Sequence, residues 1–199
     1  MLDGRFHSHI TVDGPLEGIF KWTRDNKGKF TLIDLVSDDK EQSDIMGTFY
    51  SKFDPGVCKQ EVFEHFDEIA KKAADYDLTV KRLKVEVDKV PNTYKEAVDS
   101  ATLYWEGHIK LDLPKWYKLD FLKKELGSSW VFSKNPQLHK SADRIYQFIN
   151  LREYNDSSVF YDKVIDTMVR LEVFLIRVDE LKTENVIIDT NHDLDKWWA

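Results

Sequence analysis

The feature that most constrains this chain is that it lines up with itself. Phe6-His7-Ser8-His9-Ile10-Thr11-Val12 matches Trp105-Glu106-Gly107-His108-Ile109-Lys110-Leu111 at an offset of 99. Phe49 keeps that offset to Phe148, and Leu83-Lys84-Val85-Glu86 meets Leu181-Lys182-Thr183-Glu184 at 98. Any one apolar-rich match recurs by chance, but three landmarks holding one spacing read as an internal duplication. The chain is therefore expected to form two similar lobes, residues 1–95 and 96–199, packed as one bilobal domain.

Local patterning fills in the lobes. In the first, 29–36 reads as a strand, 60–75 as a helix with Val62, Phe66, Ile69 and Ala73 on one face, and 80–90 as a strand. In the second, strands are expected at 103–111, 130–133, 145–153 and 174–188. A helix is expected over 157–171 behind the cap residues Asn155-Asp156-Ser157-Ser158, and another over 114–126 between Pro114 and Gly127. Segments 13–28, 37–47, 91–101 and 135–143 carry turn-forming residues and read as loops, with 91–101 the linker.

Charge and composition narrow the function classes. With 36 acidic residues against 29 Lys and Arg, the net charge is -7, so no uniform field draws in long duplex nucleic acid. No apolar run reaches a membrane span, and the start runs straight into a strand-like pattern without a signal-peptide core, so a cytoplasmic protein is expected. The lone Cys58 excludes an intramolecular disulfide framework and fits a reducing compartment.

His9 and Thr11 lie two apart in a strand pattern and so share a sheet face, as do His108 and Lys110. A pseudo-two-fold between lobes would bring the matched histidines to opposite walls of one groove. Two imidazoles so placed suit phosphodiester chemistry, one taking a proton and the other giving one near neutral pH. Thr11 and Lys110 would then hold the phosphate oxygens. Tyr104, Trp105 and Trp130 are candidates for stacking on a base, and Lys134 and Arg152 for a basic lining, with core packing or solvated surface as the plainer alternative for each.

His9-Ile-Thr11-Val and His108-Ile-Lys110-Leu resemble the paired His-Φ-(Ser/Thr)-Φ motifs of the two-histidine (2H) phosphoesterase superfamily. That resemblance implies an α+β fold of two antiparallel sheets flanking a central groove, with helices outside. It also implies a metal-independent phosphodiesterase with His9 and His108 as catalytic pair and Thr11 as a phosphate ligand. Lys110 departs from the motif's Ser or Thr. The implied substrate is a nucleotide or short oligonucleotide, 2′,3′-cyclic, 2′-5′-linked or cyclic; a viral member acting against nucleotide immune signals would work in the host cytoplasm. The alternative is a non-catalytic module of the same fold that binds nucleotides or RNA ends.

Other chemistry is expected to be absent. His7 and His9 form a His-x-His pair, but spacing offers no third ligand, so neither metal nor other cofactor is expected. The acidic run from Asp189 to Asp195 lacks the glycine and distal Glu of a calcium loop, and an ordered tail anchored by Trp197 and Trp198 is expected instead. Cys58 has no His and acid frame, and no phosphate-cradling glycine loop occurs.

Overall fold

The computed structural model describes residues 2–36, 41–89, 95–127, 130–134 and 143–194. The chain begins with β1 (Leu2–Asp13), α1 (Leu16–Asp25), β2 (Lys29–Val36), β3 (Glu41–Val57), α2 (Lys59–Lys71) with a 3-10 turn (Lys72–Tyr76), and β4 (Thr79–Lys89). After α3 (Lys95–Ala101), the order β-α-β-β-α-β recurs as β5 (Tyr104–Pro114), α4 (Leu119–Leu126), β6 (Trp130–Lys134), β7 (Arg144–Glu153), α5 (Ser157–Val173) and β8 (Arg177–Asp189). No helix among the described residues is long and apolar enough to cross a membrane.

The expected pair of sheets flanking a groove is corrected to a single antiparallel sheet, with strands hydrogen-bonded in the order β1-β3-β2-β6-β7-β5-β8-β4. The physical reason lies in β2 and β8, each of which lies between two different neighbours. The end of β2 pairs Asp34 with Lys134 and Leu35 with Ser133 on β6, while the end of β8 pairs Asp189 with Lys84 and Asn185 with Val87 on β4.

Several local expectations change as well. Segment 13–28 folds into α1, because Ile19 and Trp22 are spaced to bury one helical face. Gly14 allows the entry: its φ is 144°, and a Cβ there would stand 2.7 Å from the Asp77 carbonyl oxygen. Most of the loop expected over 37–47 is the start of β3, residues 37–40 lying outside the described residues, and α3 occupies the end of the expected linker, of which 91–94 are likewise outside. Pro114 closes β5 opposite Arg144 instead of opening a helix, so α4 starts at Leu119, although Gly127 does end it. The loop residues 135–142 and the tail bearing Trp197 and Trp198 fall outside the described residues.

By contacts the described residues form two compact units. Unit 1 comprises Met1–Thr31, Asp44–Tyr104 and Glu184–Lys196, and unit 2 comprises Leu32–Ser43 and Trp105–Thr183. In unit 1, β1 alternates strictly: Phe6 and Ile10 enter a core with Trp22, Phe49, Val62, Phe66, Leu83 and Val85, and His7, His9 and Thr11 take the other face. Each fully buried side chain of that size contributes about 1.5–3 kcal/mol, so this alternation fixes which face is left polar. In unit 2, Trp105, Ile109, Leu111 and Leu113 of β5 pack with Trp130, Ile149, Phe160 and Val164. Glu106, His108 and Lys110 are the alternate residues. Gly107 lets α5 approach β5, since a Cβ there would meet the Phe160 ring at 3.3 Å.

Candidate metal centre

Strand register builds a polar cluster in unit 1. β1 lies between β3 and β4, so His7 stands opposite Tyr50 on one side and Glu86 on the other, and His9 opposite Thr48 and Lys84. His7 Nε2 is 2.6 Å from Glu86 Oε2 and 2.9 Å from Glu184 Oε1, and His9 Nε2 is 3.3 Å from the same Glu86 Oε2. Lys84 Nζ approaches the other oxygen, Glu86 Oε1, at 2.6 Å. The His7 ring stacks on Tyr50 and meets His9 edge-on at 5.0 Å. His7 and Glu86 are wholly buried, whereas His9 retains 21% and Lys84 12% of their side-chain exposure.

Electrostatics set the protonation states. Burial opposes ionisation of Glu86, but the charges of Lys84, His9 and His7 overcome it and hold its pKa well below the usual carboxylate range. Burial also lowers the His9 pKa, against the raising effect of Glu86, which favours the neutral imidazole that can act as a ligand. His9 Nδ1 and the Thr48 hydroxyl lie 2.9 Å apart, and Thr48 lies 3.2 Å from the Thr31 hydroxyl. With Nδ1–H donated to Thr48, the Nε2 lone pair of His9 is aimed at the cluster.

Glu86 is the hub of this cluster. Both of its wholly buried carboxylate oxygens are met by nitrogen, Oε1 by Lys84 and Oε2 by the two imidazoles. The ligand atoms of His7, His9 and Glu86 all lie within 4.8 Å of one another. Donors about 2.1 Å from a common ion stand roughly 3.0–3.5 Å apart; the His9–Glu86 separation of 3.3 Å matches that spacing, and the His7–Glu86 contact of 2.6 Å must open slightly to admit an ion.

Unit 2 treats the matching row differently. Arg152 lies opposite Glu106 and donates from Nε and a terminal nitrogen to Glu106 Oε1 at 2.9 and 2.6 Å, with both side chains fully buried. Asn150 donates to the Ser133 hydroxyl and the Val131 carbonyl, so its Oδ1 accepts from His108 Nδ1 at 2.8 Å. His108 Nε2 is 3.6 Å from Glu106 Oε2.

The residues singled out in the sequence are placed as follows. Thr11 is buried on β1 between Met46 and Arg82. Lys110 is ion-paired with Asp179 at 2.9 Å and lies over the Tyr146 ring. Tyr104 is buried and bonded to Asp189 and Arg82, Trp105 and Trp130 are core residues of unit 2, and the Lys134 side chain lies outside the described residues. A carboxylate therefore faces Nε2 of each strand histidine, at 3.3 Å for His9 and 3.6 Å for His108, where a phosphate would be repelled. Glu86 and Glu184, which spacing around His7 and His9 did not offer, sit at matched places in the duplicated Leu-Lys-x-Glu tetrapeptide.

No sequence-family model matches the chain, and no curated protein matches it. Solved structures that resemble it include a heme-binding protein from Thermus thermophilus, at 13% identity over 93% of this chain and 92% of that one, with a TM-score of 0.32. Another is a mutant chlorite dismutase from Candidatus Nitrospira defluvii, at 12% identity over 94% and 92%, with a TM-score of 0.29. The two-histidine phosphoesterase resemblance is corrected on the single antiparallel sheet, and with it the phosphodiesterase activity and the nucleotide-binding alternative. The carboxylates beside both histidines supply the physical reason. Likenesses this distant bring no ligand to this chain.

Proposed function

We propose that unit 1 binds one divalent first-row transition-metal ion through His7 Nε2, His9 Nε2 and Glu86 Oε2. The observation that carries this reading is the convergence of two imidazole nitrogens on one oxygen of the wholly buried Glu86 carboxylate. Two imidazoles and a carboxylate, with no thiolate, form a donor set suited to zinc or iron(II). Lys84 supports the site by engaging Oε1 and leaving Oε2 to the ion. Glu184, 2.9 Å from His7 Nε2, adds a second carboxylate to the surroundings. The ion exchanges from the side of His9 and Lys84, the partly exposed members. Cys58, exposed and free, supports a reducing, cytoplasmic setting in which such an ion is acquired.

The test is metal analysis of the untagged full chain by mass spectrometry, then titration with zinc and with cobalt(II) as a spectroscopic probe. One ion per chain is expected, with d–d bands that disappear in Glu86→Gln and His7→Ala while far-ultraviolet dichroism is retained. A chain that takes up neither ion, or whose uptake ignores both substitutions, contains a buried ion-pair network and no metal centre.

A further inference from the structure

The outer face of α5 in unit 2 is apolar where a solvated helix face would be polar. Ile165 and Val169 are 61% and 54% exposed, Val173 71%, Leu181 on β8 42%, and Leu175, in the turn between α5 and β8, 92%. Ile165, Val169 and Leu181 help line a groove of about 390 Å³ whose one charged lining residue is Glu172.

Leu175 adds an independent oddity. It follows the helix C-cap with φ at 56°, and the turn is closed by Ile176 N–H donating to the Leu171 carbonyl at 2.9 Å. Glycine normally fills this left-handed position, because an L side chain is strained there. The chain instead keeps the strain and holds a leucine out in water.

A projecting side chain and an apolar groove on one surface are the elements of a self-complementary two-fold contact, in which each copy's projection enters the other's groove. The area agrees. The five side chains expose on the order of 500 Å² per copy, so pairing removes roughly 1,000 Å² in total, the level a specific interface clears. Asp166 and Arg170, which flank the stripe, pair with each other at 2.8 Å, which leaves Glu172 as the charge lining the groove that the second copy must accommodate. We propose that this α5 face docks against the same face of a second copy of the chain.

Sedimentation equilibrium of the full chain tests this. The wild type is expected at twice 23.5 kDa. Val169→Glu should weaken the dimer at least about 30-fold, the loss expected from removing a central apolar anchor. Leu175→Gly should weaken it too while raising the melting temperature of the monomer measured at high dilution, since it removes the projection and relieves the left-handed strain together. If Val169→Glu does not fold, Leu175→Gly decides, because the backbone at that position favours glycine. A wild type that stays monomeric at about 100 µM, too weak for a specific dimer, overturns the proposal. So does a dimer that neither substitution weakens.

Discussion

On β1 a histidine, His7, stands two residues before the strand histidine; on β5 a glutamate, Glu106, takes that place. The cross-strand neighbour changes with it. Tyr50 lies opposite His7, and Arg152 lies opposite Glu106. In unit 2 the guanidinium and the carboxylate satisfy each other within the row. In unit 1 Tyr50 brings no charge, and the cluster draws on β4 and β8 for Glu86, Lys84 and Glu184. The row is therefore closed by an Arg–Glu ion pair in one unit, whereas in the other two imidazoles converge on one carboxylate oxygen.

The harshest way to break this comparison is to open the closed row. Arg152→Ala removes the guanidinium from the buried Glu106 carboxylate, and should cost about 3–5 kcal/mol in urea unfolding. Replacing both partners by apolar residues should cost far less, because no unpaired charge remains. If Arg152→Ala loses under about 1 kcal/mol, as an exposed pair would, the closed-row account of unit 2 is wrong. Next in size is the loss of a ligand: His7→Ala should lower cobalt(II) affinity by at least about 100-fold, beyond the metal-free stability lost with a buried ring that pairs with Glu86 and Glu184. A large loss of metal-free stability with unchanged affinity would instead give His7 the structural role that Arg152 plays.

A smaller effect sharpens the comparison further. Thr48→Val removes the acceptor that orients His9 and should weaken metal binding by about 10-fold, with a changed cobalt spectrum, as losses of supporting hydrogen bonds do. The matching partner in unit 2 is Asn150, so by register position 48 corresponds to 150, an offset of 102. The Phe49–Phe148 landmark is thus not a structural equivalence: Phe49 lies opposite Ser8 and Phe148 opposite Lys110.

That slip shows what was legible. Alternation along β1 and β5 placed His9 with Thr11 and His108 with Lys110 on polar faces, because a period of two follows directly from the pleat. The helices α2 and α5 were visible for the same local reason. Segment 13–28 was missed as α1 because Gly14, Pro15 and Gly28 mask the Ile19 and Trp22 spacing. Glu86 was missed as a member of the cluster because strand pairing, and not spacing, carries it to His7. The duplicated Leu-Lys-x-Glu did mark both Glu86 and Glu184, but as a sign of repetition and without the chemistry.

The smallest expected effect concerns how each unit starts its second helix. In unit 1 the Glu61 carboxylate accepts from the Cys58 backbone N–H at 2.9 Å, and in unit 2 the Asp156 carboxylate accepts from Ser158 N–H at 2.6 Å. The backbone bond from Cys58 lowers the Glu61 pKa, and hydrogen bonding with Ser158 lowers that of Asp156. A depressed folded-state pKa contributes stability above the unfolded value, near 4, and loses it as pH falls through the folded value. Both caps should therefore weaken in acid. Asp156→Asn keeps an acceptor that does not titrate, so melting temperature should change little at pH 7 and fall less steeply below about pH 4. Asp156→Ala should lower it at pH 7, by less than Arg152→Ala does, and converge with wild type in acid. The measurement is melting temperature against pH by circular dichroism, and an acid limb in Asp156→Ala that runs parallel to wild type would remove Asp156 from the acid response.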